Sequence, residues 1–135
     1  MAEGLLVPVV HNTDVKSLLQ IANENKENIQ LAKIGKLTGT AQGGGTITLS
    51  NLGSFGVKSF TAIINQSESA IFAVGAINEK VVVYKGTIAA RPIMNLTATF
   101  DHRLIDGAYG ASFVKDLQEL LETPGIGLLY EVDKL

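Results

Sequence analysis

The sequence has no cysteine and no tryptophan, and only two of its 135 residues are histidines. The lack of cysteine excludes disulfide bonds, thiolate metal ligands and a cysteine nucleophile. The two histidines, His11 and His102, are far apart in the sequence, so a zinc site is not expected.

Charge is also scarce, because Asp, Glu, Lys and Arg make up 18% of the chain against the usual ~25%. The net charge of −2 argues against a nucleic-acid partner, since phosphate binding needs clustered Lys and Arg. The length is that of one domain, and the mean hydropathy is +0.25. Together these values predict that another chain covers part of the surface.

Long apolar runs are missing as well. The longest, Ala70–Ile77, is far below the ~20 residues that span a membrane. The first residues lack the basic region of a signal peptide. We therefore expect a soluble intracellular protein, in the cytoplasm or in the mitochondrial matrix if the source is eukaryotic.

Apolar periodicity predicts an α+β fold, a mixed sheet with helices on one face. Helices are predicted from Asp14 to about Ile34, with Gly35 as a stop, and from Gly107 to Glu122. Strands are predicted at Leu5–Val10 (an edge strand, because of Pro8), Thr46–Ser50, Ser59–Asn65, Ala70–Ile77, Val81–Tyr84 and Ile88–Asp101, the last two joined at Lys85-Gly86. Alternation along the last stretch predicts one core-facing side and one polar side.

The segment from Thr99 to Gly107 contains the clearest candidate for chemistry. It places His102 just after a long strand and Asp106 four residues later, at a helix start. A histidine in this setting can act as a general base, but a histidine beside a helix cap is more often structural. Asp101 and Arg103 flank it with opposite charges and are expected to hold the loop.

The motif DHRLIDG, followed by AYGASFVKDLQELLETP, resembles the C-terminal signature of the dihydrolipoamide acyltransferases, the core subunits of the 2-oxo acid dehydrogenase complexes. Chloramphenicol acetyltransferase shares its HxxxDG part more distantly. A second set of segments supports the resemblance: GLLVPVV, GGTITLSNLGSFGVKSFTAIIN and AIFAVGAI. The resemblance implies that residues 1–135 are the C-terminal portion of a catalytic domain with the chloramphenicol-acetyltransferase-like fold.

The same resemblance implies roles for single residues. His102 matches the general base that deprotonates a thiol, and Ser50 matches the hydroxyl that stabilises the tetrahedral oxyanion. Asp106 matches the acidic residue of the motif, which either caps the helix or orients His102. Asn51 and Gly53 would leave room for a pantetheine arm or a lipoyl-lysine. Without the family, Ser50 would be a strand-end serine bonded to its own loop.

The implied function is acyl transfer between dihydrolipoamide and coenzyme A, which serve as substrates, without a metal. The implied partners are other copies of the chain, in trimers or larger assemblies, and the 2-oxo acid dehydrogenase and dihydrolipoamide dehydrogenase subunits. His102 of one copy would face Ser50 of the next. An apolar tail (Leu128, Leu129, Tyr130 and Leu135) is expected to dock on a neighbour.

Two alternatives remain open at this stage. One is a non-catalytic core or scaffold piece that only assembles with partner subunits. The other is a Ser-His-Asp hydrolase, although Ser50 lies in SNLG and not in a GxSxG elbow. The acyl group, whether acetyl, succinyl or branched-chain, is not encoded in these motifs.

Overall fold

The computed structural model describes residues 4–125. It contains two longer helices and five strands: α1 (Leu18–Lys33), β1 (Ile47–Asn51), β2 (Ala70–Val74), β3 (Asn78–Tyr84), β4 (Thr87–Ile93), β5 (Leu96–Phe100) and α2 (Gly107–Glu122). The chain divides into two compact units, residues 46–114 and the remainder, and all five strands belong to the first.

The main sheet has the order β1-β2-β5, with β1 parallel and β5 antiparallel to the central β2. This arrangement confirms the predicted mixed sheet. Residues 70–73 of β2 are all buried, because β1 and β5 flank this central strand and the Phe72 ring packs against Phe113 of α2. The predicted strand Ala70–Ile77 ends early, at Val74.

The first half of α2 covers one face of the sheet. The Phe72 ring meets Phe100 edge-on at 6.0 Å and Phe113 at 5.9 Å. Gly110 lies directly on Phe100, since a Cβ there would come within 2.9 Å of the ring. The predicted bounds of α2, Gly107 to Glu122, are confirmed.

On the opposite face the two outer strands present polar side chains, as the alternation predicted for β5, while the central β2 presents Ile71 and Ala73. Directly opposed residues share a face, so Thr48 lies with Thr99, and Ser50 lies with Thr97. The single long strand predicted from Ile88 to Asp101 is wrong, because the chain leaves one sheet at Ile93 and enters the other at Leu96.

The predicted strand Ser59–Asn65 is also wrong. Residues 57–69, called the strap below, have no regular structure. The Val57 carbonyl accepts from the Ala76 N–H at 2.7 Å, and the Asn95 side chain donates to the Lys58 carbonyl at 3.2 Å. A Cβ on Gly75 would lie 2.1 Å from the Lys58 oxygen, so the strap crosses the chain just after β2 and does not pair along a strand.

The hairpin β3–β4 forms a second, two-stranded sheet, and its predicted turn at Lys85-Gly86 is confirmed. Both turn residues have positive φ, 49° and 80°, as a tight hairpin turn requires. Three apolar side chains on one side of the hairpin are largely exposed: Val81 (75%), Val83 (73%) and Ile88 (76%).

Helix α1 begins at Leu18 and not at Asp14. Ser17 and Gln20 form a capping box there, which the sequence analysis overlooked, and residues 13–15 make a separate short turn. The predicted stop is confirmed: Gly35 has a φ of +66°, and the Lys36 N–H bonds the Leu31 carbonyl at 2.8 Å.

The predicted first strand, Leu5–Val10, pairs with no strand among residues 4–125. Pro8 offers no N–H for a ladder. The segment is held instead by the Val9 N–H, which donates to the Ala41 carbonyl at 3.0 Å, and by the Asn28 side chain, which donates to the Val9 carbonyl at 3.3 Å.

The apolar tail containing Leu128, Leu129, Tyr130 and Leu135 lies outside the described residues. Between residues 4 and 125, no helix is both long and apolar enough to cross a membrane.

Candidate active site

His102 lies in a tight turn between β5 and α2. The Asp101 N–H donates to the Ser69 carbonyl, and the Asp101 carbonyl accepts from the N–H groups of Leu104 and Ile105, all at 2.9 Å. The His102 ring is exposed and has no hydrogen-bond partner among residues 4–125. The backbone around this imidazole is therefore fixed, while both ring nitrogens are available.

Asp101 and Arg103 hold this turn, as expected. The guanidinium donates to both carboxylate oxygens, with Nη2 at 2.6 Å from Oδ2 and Nε at 2.9 Å from Oδ1. The Arg103 hydrogen bonds lower the pKa of Asp101 from 3.8 to about 2, and the carboxylate raises the pKa of Arg103. Both groups are thus charged at neutral pH and occupied with each other.

Asp106 caps α2. Its Oδ1 accepts from the Tyr109 N–H at 2.9 Å, three residues into the helix. Within the described part of the chain the Asp106 carboxylate makes no hydrogen bond to His102. Of the two roles considered, the geometry gives Asp106 the capping role.

Ser50 lies near the end of β1, on the polar face of the sheet. Its side chain is half-buried, and its hydroxyl has no hydrogen-bond partner in residues 4–125. The alternative of a serine bonded to its own loop is therefore not what the structure contains. The hydroxyl is free to donate to a substrate.

Asn51 and Gly53 form the turn that ends β1. The Asn51 carboxamide oxygen accepts from the Gly53 N–H at 2.8 Å, and the Leu52 N–H donates to the Val74 carbonyl at 3.1 Å. A Cβ on Gly53 would lie 2.9 Å from the Gly75 oxygen. Both residues thus have a structural role in the turn, and their contact with a substrate arm stays a prediction.

The sequence analysis missed a polar cluster beside Ser50. The buried Thr48 hydroxyl donates to Glu68 Oε2 at 2.5 Å and accepts from Asn65 Nδ2 at 2.8 Å. The alternation of TITLS already placed Thr48 on the same face as Ser50. The two partners come from a segment that was predicted to be a strand, so their convergence was not foreseeable.

The structure does not bring Ser50 and His102 together. Ser50 is level with Thr97 in the register, and His102 follows Thr97 by five residues towards the opposite end of the sheet. At ~3.3 Å per residue and ~4.8 Å between strands, the two residues are roughly 15–20 Å apart. One copy of the chain cannot form a site that uses both.

In residues 4–125 no three His, Asp or Glu side chains form a group that could hold a metal ion.

Comparisons with known proteins agree on one family. The model of the 2-oxoacid dehydrogenases acyltransferase (catalytic domain) family matches residues 1–129. The chain is 39% identical over 127 residues to the dihydrolipoyllysine-residue acetyltransferase component of the pyruvate dehydrogenase complex from Rickettsia bellii. That match covers 94% of this chain and 30% of the relative.

Solved structures give the same result. A chain of Azotobacter vinelandii dihydrolipoamide acetyltransferase, studied for the roles of a serine, a histidine and an asparagine in its catalytic mechanism, matches with a TM-score of 0.81 and 40% identity, over 89% of this chain and 49% of that chain. The cubic core of a pyruvate dehydrogenase multienzyme complex matches with a TM-score of 0.81 and 41% identity, with the same coverage. These matches confirm the acyltransferase-like α+β fold. The chain spans about half of these solved chains.

Proposed function

The chain belongs to the family of 2-oxoacid dehydrogenase acyltransferase catalytic domains, and on this basis we propose that it moves an acyl group between dihydrolipoamide and coenzyme A. The curated relatives named above support this, as components of a pyruvate dehydrogenase complex. In this proposal residues 1–135 are the C-terminal portion of the catalytic domain, and the protein acts in the cytoplasm, or in the mitochondrial matrix if the source is eukaryotic.

One observation carries the assignment of the site. The serine and the histidine named for the Azotobacter enzyme are 52 residues apart, and the asparagine follows the histidine by four. Ser50, His102 and Asp106 repeat both intervals. The third residue differs in type, since this chain has an aspartate where that enzyme has an asparagine.

The proposed chemistry starts at the exposed imidazole of His102. A free thiol has a pKa near 8.5, so only a few per cent is thiolate at neutral pH. A correctly positioned general base raises the reaction rate roughly 10²–10⁴-fold. His102 takes the proton of the incoming thiol, and the thiolate sulfur bonds to the thioester carbonyl carbon. The bond to the leaving sulfur then breaks, and His102 returns the proton to that sulfur.

Ser50 stabilises the tetrahedral intermediate of this reaction. The carbonyl oxygen becomes negatively charged when the sulfur adds, and the unbonded Ser50 hydroxyl donates to it. Losing one such donor lowers turnover by on the order of 10²–10³-fold. Asp106 acts indirectly, by holding the start of α2 behind the turn that carries His102.

The site is proposed to form between two copies of the chain, with Ser50 from one and His102 from the other. Their separation within one copy supports this, and so does the likeness to a cubic core. The proposed assembly is a homotrimer or a larger oligomer, which works with the 2-oxo acid dehydrogenase and dihydrolipoamide dehydrogenase subunits. Coenzyme A and the lipoyl group are the proposed substrates, and Asn51 and Gly53 the proposed neighbours of the substrate arm.

An acyl-transfer assay tests the function. With acetyl-CoA and free dihydrolipoamide, the assembled protein should form acetyl-dihydrolipoamide, and the Ser50→Ala variant should lose on the order of 10²–10³ in kcat. Assembly without transfer would identify a scaffold subunit. Release of free acetate in preference to transfer would identify a hydrolase.

A further inference from the structure

The cluster of Thr48, Asn65 and Glu68 lies outside the proposed chemistry, yet it is attached to the strand that carries Ser50. Strand β1 is an edge strand, since it pairs only with β2 among the described strands. The backbone that presents Ser50 is therefore held by a ladder on one side only. A side-chain contact can supply a further constraint on the direction of such a strand.

Thr48 provides that constraint. Its hydroxyl is buried and fully engaged, with one donated and one accepted hydrogen bond. Both partners belong to one turn of the strap, closed by the Glu68 N–H on the Asn65 carbonyl at 3.1 Å. Ser67 within this turn has a φ of +71°, a conformation that a non-glycine residue adopts only when its surroundings impose it.

The strap is itself fixed at both ends, so it is a firm support. Lys58 is held by Asn95 and pressed against Gly75 at one end, and the Ser69 N–H donates to the Thr46 carbonyl at 2.9 Å at the other. Thr48 and Ser50 point to the same face, two residues or about 7 Å apart along the strand. Beyond Ser50, the Asn51–Gly53 turn holds the strand end.

We propose that Thr48, clamped by Asn65 and Glu68, is a positioning residue that aims the Ser50 hydroxyl at the reacting carbonyl. This inference rests on the proposed role of Ser50 as the oxyanion donor. The clamp matters in the tetrahedral intermediate and in the transition states on either side of it, because the bound thioester itself carries no oxyanion. Removing the clamp should therefore lower kcat and leave the KM for the thiol substrate nearly unchanged.

Thr48→Val tests the proposal in the assembled protein, since valine has the shape of threonine without the hydroxyl. It should lower kcat about 10- to 100-fold, the range that a misplaced catalytic group produces. Thr48→Ser keeps the hydroxyl and should restore most of the activity. Thr46→Val is the matched control: Thr46 is exposed immediately before β1, and its hydroxyl has no partner in residues 4–125. It should leave kcat unchanged.

A double-mutant cycle separates positioning from general support of the fold. If Thr48 acts through Ser50, adding Thr48→Val to Ser50→Ala should change kcat less than twofold. Losses that multiply would overturn the proposal, as would an unchanged kcat in a folded Thr48→Val protein. If Ser50→Ala alone has a normal kcat, the proposed role of Ser50 as oxyanion donor is wrong, whatever Thr48→Val does. If Thr48→Val prevents folding, Glu68→Ala replaces it in the cycle, with the same two outcomes.

Discussion

Ser50 and His102 lie at opposite ends of one three-stranded sheet. Ser50 stands level with Ala73 and Thr97, near the ends of β1 and β2, while His102 follows β5 beyond the level at which β1 and β2 begin. Antiparallel pairing of β5 with β2 causes this separation, because the C-terminal ends of two antiparallel strands lie at opposite edges of the sheet. One copy of the chain therefore cannot bring the two side chains together, and in the proposed function each copy carries two half-sites.

The first prediction concerns the two histidines. His102→Ala should remove nearly all acyl transfer, because the two carboxylates of the same turn are already engaged, Asp101 by Arg103 and Asp106 by the Tyr109 N–H. His11→Ala is the control: the His11 Nε2 bonds the Thr40 carbonyl at 2.7 Å, so its loss should lower the free energy of unfolding by about 1 kcal/mol and leave transfer intact. Steady-state kinetics and denaturant unfolding of both variants provide the measurements. Normal transfer by His102→Ala would contradict the assigned base.

The second prediction separates capping from catalysis at Asp106. Asp106→Ala removes the acceptor for the Tyr109 N–H and should lower the free energy of unfolding by about 1 kcal/mol. Asp106→Asn keeps an acceptor at the same place, so it should retain both stability and transfer. A Tm and a kcat for each variant are sufficient. If Asp106→Asn is as stable as the unmodified chain but inactive, the carboxylate acts on His102 directly.

A third prediction concerns pH and the pair Asp101–Arg103. The pKa of Asp101 is about 2 in the folded chain, below its ordinary 3.8, so the pair stabilises the fold above pH 3.8 and this stabilisation is lost as the pH falls to about 2. Arg103→Gln should raise the Asp101 pKa towards 3.8, with a remaining lowering from the backbone N–H of residue 103, which still donates to the carboxylate. NMR titration of the Asp101 carboxyl in both proteins measures the shift. Equal pKa values in the two proteins would show that Arg103 is not its cause.

The sequence predicted those parts of the fold in which local patterns and tertiary packing agree. The bounds of α2, the buried β2 and the turn at Lys85-Gly86 follow from apolar spacing and turn chemistry alone. His102 and Ser50 were selected as candidate site residues through motif resemblance, and the face that carries Ser50 was predicted from alternation.

The strap could not be predicted in this way. Its β-branched and aromatic residues favour a strand. However, Gly75 has no Cβ and so allows Lys58 to cross the chain just after β2, and the Asn95 side chain holds Lys58 there by a hydrogen bond. Such a choice depends on contacts between residues far apart in the sequence. The same applies to the Thr48 cluster, which needs the strap in place before Asn65 and Glu68 can meet the hydroxyl.

Complementation between two inactive variants tests the central claim most directly. Chains with Ser50→Ala and chains with His102→Ala are co-expressed in equal amounts, and the mixed assembly is purified and assayed. A site shared between copies is intact wherever an unmodified Ser50 faces an unmodified His102, which random mixing gives in about a quarter of the sites. We predict that the mixed assembly regains about a quarter of the normal transfer rate, while each variant alone stays inactive. No recovery in a mixed assembly of normal mass would contradict the account.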